Sequence, residues 1–186
     1  MPSPEGSSVR FRRIPASLRR AAIERFARRL QKDVAKGRAF DVLITGDAEL
    51  RRLNRDFRRQ DYATDVLSFP TNPEPNGNVN SPQRRRVRRD KRRENREQAE
   101  GKGQDSRLGA EQRFLGDVAI SLGRARAQAR EFGHSIEQEV QILMLHGVLH
   151  LCGHDHEADS GAMARAEKRW RAKLGLPNGL IERVRS

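Results

Sequence analysis

Apolar positions recur along this chain at two periods. Leu18, Ala22, Phe26, Leu30 and Val34 fall on one helical stripe with basic residues between them. Pro15 suits a first turn and Gly37 follows as a stop, so a helix is predicted from about Pro15 to Lys36. Ala39–Thr45, reading AFDVLIT, looks like a strand. Asp47 is expected to cap a second helix with Leu50, Leu53 and Phe57 inward. Thr64–Phe69, reading TDVLSF and closed by Pro70, is a second strand, and Phe114–Ser121, reading FLGDVAIS, a third. A third helix is predicted over about Leu122–Phe132. Ser135 with Gln138 makes a capping box for a fourth, which runs to about Leu151 and stops at Gly153. A last helix, about Ser160–Leu174, places Met163, Trp170 and Leu174 inward. Strands separated by helices, with two consecutive helices at the end, point to an α/β-type or α+β sandwich. No internal repeat is visible.

One stretch breaks the periodicity. From Thr71 to Arg113 apolar residues are almost absent, and Pro, Gly, Asn, Gln and Arg dominate. Such a segment buries too little surface to offset its ordering entropy, so a mobile loop interrupting a single domain is predicted. Residues 84–100 are open to a transient charged helix. Arg84–Arg86, Arg88, Arg89 and Lys91–Arg93 make a dense cationic run. The segment is either a solvated insertion or an arm that grips RNA phosphates.

Composition agrees that part of the chain is unpacked: 35% of the 186 residues are hydrophobic and 34% charged, with a mean hydropathy of −0.87. The net charge of +13 favours a polyanionic partner, whether RNA, DNA or an acidic membrane face. Residues 1–60 carry +9, residues 61–81 −3, residues 82–113 +6 and residues 114–186 only +1. Whatever chemistry the C-terminal part holds is therefore not a simple basic patch. One cysteine, Cys152, excludes an intrachain disulfide and a Cys-rich zinc finger. No apolar run approaches the roughly 20 residues of a membrane span, and the first residues lack the apolar core of a signal peptide. A soluble cytoplasmic protein with no membrane partner is expected.

Four of the five histidines lie in His146-Gly-Val-Leu-His150-Leu-Cys-Gly-His154-Asp-His156. His146 and His150, four apart on a predicted helix, share a face, so their imidazoles are able to converge on one ion. His156 is on the wrong side of a continuing helix, but a turn at Gly153 brings it back as a third ligand. Three neutral imidazoles with an open fourth position make a catalytic zinc geometry. The ligand spacing and the turn glycine match the extended zincin pattern, H-E-x-x-H-x-x-G-x-x-H. Gly147 stands where that pattern has its general-base glutamate, which disfavours a peptidase.

The histidine segment resembles H-G-x-L-H-L-x-G-Y-D-H, the signature of the YbeY endoribonucleases, bacterial rRNA maturation factors; His154 stands where the family has Tyr. Phe57-Arg58, Asp61 and Thr64-Asp-Val-Leu-Ser-Phe-Pro70 resemble a second family block, with Ala63 replacing Pro. Leu115-Gly-Asp117-Val-Ala-Ile-Ser121 resembles a third, and Gly133-His134-Ser135 also fits. The basic stretch 71–113 is longer than the family's usual connection. The resemblance implies a single-domain α+β fold over 1–186, a small mixed β-sheet packed with about five helices. It implies one zinc per chain on His146, His150 and His156, and Arg58 as the functionally required arginine. It also implies cleavage of single-stranded RNA, in 16S rRNA 3′ end maturation on the small ribosomal subunit and in ribosome quality control, with a ribosomal protein or an assembly GTPase as partner.

Other residues have competing roles. Arg58 suits a bidentate contact to a phosphate; its plainer role is a helix-end cation, and Arg59 lies beside it. Asp155 or Asp117 has the chemistry to orient a ligand imidazole, against a turn or structural role. His154 contacts substrate or replaces tyrosine packing, and His134, before a helix cap, is structural. Cys152 is a small buried residue, since a thiolate ligand would close the site. Two further readings compete: a metal-dependent hydrolase of another substrate, and a non-catalytic RNA-binding ribosome-assembly factor with structural zinc.

Overall fold

A computed structural model describes residues 6–12, 18–71, 113–154 and 161–177. Among these residues, four strands and five helices follow in the order β1 (Ser8–Phe11), α1 (Arg20–Asp33), β2 (Ala39–Thr45), α2 (Asp47–Arg58), β3 (Val66–Pro70), β4 (Phe114–Ser121), α3 (Leu122–Glu131), α4 (Ile136–Leu151) and α5 (Ala162–Leu174). The strands form one mixed sheet in the order β1-β2-β4-β3. β1 and β4 run parallel to β2, and β3 is an antiparallel edge strand on β4. The fold of the described residues is α+β, packed about this one sheet.

Alternation in β2 and β4 sorts the two faces of the sheet. Val42 lies opposite Val118 and Ile44 opposite Ile120, and all four are buried with Ile23, Phe26 and Leu30 of α1 and the apolar residues of α4. The intervening positions turn the other way: Leu67 and Ala119 pack against Leu50 of α2, with Leu43, Leu53 and Phe69 at the margin. The sheet thus separates α2 from α4. α4 is buried without a break from Ile142 to Leu149, as expected of a helix that is apolar on every side. α5 packs against its outer side.

Several predicted details change. β1 was not anticipated, and it adds a fourth strand to the expected three. The apolar stripe of α1 also includes Ile23 and Ala27, both nearly inaccessible. Residues 13–17, and Pro15 with them, lie outside the described residues; α1 begins at Arg20. Asp47 is not the cap of α2: Gly46 holds that position without a side-chain bond, and the Asp47 carboxylate accepts from the Ser121 hydroxyl. The predicted capping box is present, with the Ser135 side chain and the Gln138 side chain each bonded to the other's backbone.

Most of the predicted basic insertion, residues 72–112, lies outside the described residues. Its ends are adjacent. Pro70 pairs with Gly116, and the Thr71 N–H donates to the Leu115 carbonyl at 2.9 Å. Gly116 has φ +135°, and a Cβ there would come 2.1 Å from the Phe69 carbonyl oxygen, so the glycine of the Leu-Gly-Asp segment is what lets the two strands meet.

Candidate metal centre

His146 and His150 lie in the last two turns of α4. The helix closes on a left-handed Gly153 (φ +90°). The Gly153 N–H donates to the His150 carbonyl at 3.0 Å and the His154 N–H to the Leu149 carbonyl at 3.1 Å, the paired bonds of a Schellman stop. One turn before that stop, His146 and His150 stack edge to face, with ring centroids 4.8 Å apart and planes at 73°. Their Nε2 atoms lie 3.2 Å from each other.

The other nitrogen of His146 is held. Its Nδ1 lies 3.0 Å from Oε2 of Glu167, a residue on α5 that is only 3% exposed. A carboxylate so deep is tolerated only with a hydrogen-bonding partner. With the proton of His146 on Nδ1 and donated to Glu167, Nε2 carries a lone pair directed at His150. Oε1 of Glu167 is buried with no hydrogen bond among the described residues.

This arrangement fits a metal ion. Two ligands about 2.0–2.1 Å from one tetrahedral zinc are about 3.3 Å from each other, which is close to the observed 3.2 Å between the two Nε2 atoms. His156 and Asp155 lie outside the described residues. Among the described residues, no group of three or more His, Cys, Asp or Glu side chains is able to hold a metal, so they supply two imidazoles.

Gly147 sits where α4 packs tightly against the sheet. A Cβ on it would stand 2.6 Å from Cγ1 of Val118 and 3.2 Å from the Ser68 hydroxyl, which itself donates to the Gly147 carbonyl. The zincin glutamate is therefore sterically excluded, not merely absent.

Arg58 ends α2 on the far face of the sheet, and no described contact joins it to the histidines. Edge strand β3 is their common neighbour: Ser68 touches Gly147, and the next residue, Phe69, packs edge to face on Phe57 at 4.9 Å. The loop after Arg58 is pinned. Asp61 takes both Nε and Nη2 of Arg51, at 2.9 and 2.8 Å, and the Asn54 side chain donates to the Tyr62 carbonyl. The Arg51 pairing holds the Asp61 carboxyl below its ordinary range. Arg51, Arg52 and Arg55 all have carboxylate partners, whereas the Arg58 side chain is exposed and makes no ion pair among the described residues.

Asp117 does not orient a ligand histidine. It lies opposite Asp41 and Phe69, on the α2 face of the sheet. Partial burial, and then the facing Asp41, push its carboxyl above the ordinary range, against a smaller opposite pull from Arg10. His134 is structural as expected, its Nε2 bonded to the buried carboxylate of Glu139. Cys152 is half-buried where full burial was expected, and that burial pushes its thiol pKa up despite Arg38 and Lys36 nearby, the opposite of a ready thiolate. His154 contributes its backbone to the helix stop. Glu167 was missed. The signal was in the sequence: it falls four residues after Met163, on the same inward face of the last helix.

The family model described as Endoribonuclease YbeY matches residues 11–175. A protein of Solibacter usitatus named Endoribonuclease YbeY is 64% identical over 186 residues, covering 100% of both chains. One of the same name from Koribacter versatilis is 39% identical over 169 residues, 91% of this chain and 86% of that one. A solution structure of a Thermotoga maritima protein covers 89% of this chain and 93% of its own at 23% identity, with a TM-score of 0.47.

Proposed function

Because this chain belongs to the YbeY endoribonuclease family, we propose that it is a zinc-dependent endoribonuclease that cuts single-stranded RNA. Its place is the 3′ end maturation of 16S rRNA and ribosome quality control in the cytoplasm. Its partners are the small ribosomal subunit and a ribosomal protein or assembly GTPase. No helix of the described residues is long and apolar enough to cross a membrane.

One observation carries the metal reading: the Nε2 atoms of His146 and His150 face each other at 3.2 Å while Glu167 holds the opposite nitrogen of His146. His146, His150 and His156 would hold the ion. When bound, zinc supplies a Lewis acid for a phosphoryl oxygen and a water whose pKa falls to about 7. The protein's own part is to aim the lone pairs and to meet the phosphate. Arg58, with no carboxylate partner among the described residues and on a pinned helix end, offers its guanidinium fork to that group as charge develops. Gly147 stands where the zincin pattern has its general-base glutamate, which disfavours peptide hydrolysis by that route.

The test is metal analysis followed by cleavage of a single-stranded RNA. The purified full chain should hold about one zinc and cut the RNA, and His150→Ala should lose most of both. Full zinc retention in His150→Ala overturns the metal assignment. Cleavage that survives zinc removal overturns the zinc dependence.

A further inference from the structure

We infer that Glu167 is the positioning residue of the metal centre, fixing the tautomer and direction of the His146 ring. The inference rests on the zinc reading above and extends it to a residue on a different helix. Three features converge. Glu167 is buried on α5 among Met163, Ala166 and Leu174, a surrounding in which a carboxylate needs a partner. Its Oε2 has that partner in Nδ1 of His146, at 3.0 Å across the packed α4–α5 pair. The other nitrogen of the same ring, Nε2, lies 3.2 Å from Nε2 of His150. A carboxylate is an acceptor only, so the proton on His146 belongs on Nδ1 and the lone pair on Nε2. That is the tautomer a metal ligand requires.

The geometry also selects Glu167 over the acid of the Leu-Gly-Asp strand. Asp117 lies on the opposite face of the sheet, beside Asp41. Two helices hold the Glu167–His146 contact, so the ring is aimed before any ion arrives.

The experiment uses the full chain with Glu167→Gln, which keeps the side-chain shape, and Glu167→Ala. Zinc affinity is read by chelator competition, cobalt substitution by its visible spectrum, the His146 tautomer by nitrogen NMR of the metal-free protein, and folding by the metal-free melting temperature. The metal-free wild type should show the Nδ1–H tautomer at His146. Glu167→Gln should weaken zinc about tenfold and Glu167→Ala by up to about a hundredfold, with a shifted cobalt spectrum. Glu167→Gln should melt close to the wild type. An Nε2–H tautomer in the metal-free wild type overturns the inference, as does unchanged zinc affinity in Glu167→Gln with only a lowered melting temperature. A wild type that binds no zinc defeats the zinc reading instead, and the tautomer measurement still decides the role of Glu167.

Discussion

At the scale of single residues, the chemistry of the histidine segment is bounded by a missing side chain. Gly147 lies within α4 where most residues gain from a Cβ, yet a Cβ there meets Val118 at 2.6 and 3.1 Å. Gly147→Ala should therefore destabilise the fold by about 1–3 kcal/mol, the usual range for overpacking a tight site. Urea unfolding should show this as a lower midpoint at an unchanged slope. Adding Val118→Ala removes both γ carbons in the way, so the double variant should lose less than the two single losses combined. Simple additivity would mean that the helix is not held against β4 at this point. The sequence showed that Gly147 replaces a general base; it did not show why, because the distance between a helix and a sheet is not written in either one. Glu167 illustrates the converse. Its place on an inward face was readable, but its partner lies 21 residues away on another helix, and no spacing rule links them.

At the scale of elements, long periodic segments were legible and short or edge segments were not. β4 and α4 carry enough apolar positions for their type and limits to be read directly, down to the capping box at Ser135 and the stop at Gly153. β1 is four residues, SVRF, one of them charged, and it exists only because β2 offers a parallel edge. Asp47 has the composition of a cap, but the Ser121 hydroxyl takes its carboxylate and leaves the cap to Gly46. α2 shows how one face of arginines divides. Arg51, Arg52 and Arg55 are tied to Asp61, Glu49 and Asp56, whereas Arg58 at the helix end has no such partner among the described residues. Arg58→Glu should therefore leave melting temperature and zinc content nearly unchanged while abolishing cleavage. Arg59→Glu is the contrast: Arg59 is the left-handed end of the helix at φ 59°, and its main chain serves as the stop. If Arg59→Glu loses cleavage and Arg58→Glu does not, the phosphate contact belongs to Arg59.

At the scale of the whole molecule, the positive charge and the candidate metal centre occupy different parts of the chain. Residues 114–186 bring the histidines at a net charge of only +1, while residues 82–113 carry +6 and residues 1–60 carry +9. RNA affinity and metal chemistry should therefore come apart. The strand pairing supplies the means to test it. Residues 72–112 connect β3 to β4, and the two strands already meet at Pro70 and Gly116, with Thr71 bonded to Leu115. Replacing residues 74–110 by a short Gly-Ser linker should close the same hairpin without disturbing the sheet. Zinc content should survive, since His146, His150 and His156 all lie beyond the segment. Within it, residues 84–100 alone hold nine basic and four acidic side chains. If these reach RNA, their contacts go to phosphates and carry little sequence information. Each phosphate neutralised on a single strand adds about 0.7 to the slope of log affinity against log salt. The deletion should then weaken binding most at low salt and flatten that slope by a few units at most, with no change in the bases preferred at the cut. Should affinity and slope both stay as they are, the segment is a solvated connection, and contact falls to the basic residues of the first 60, Arg58 among them.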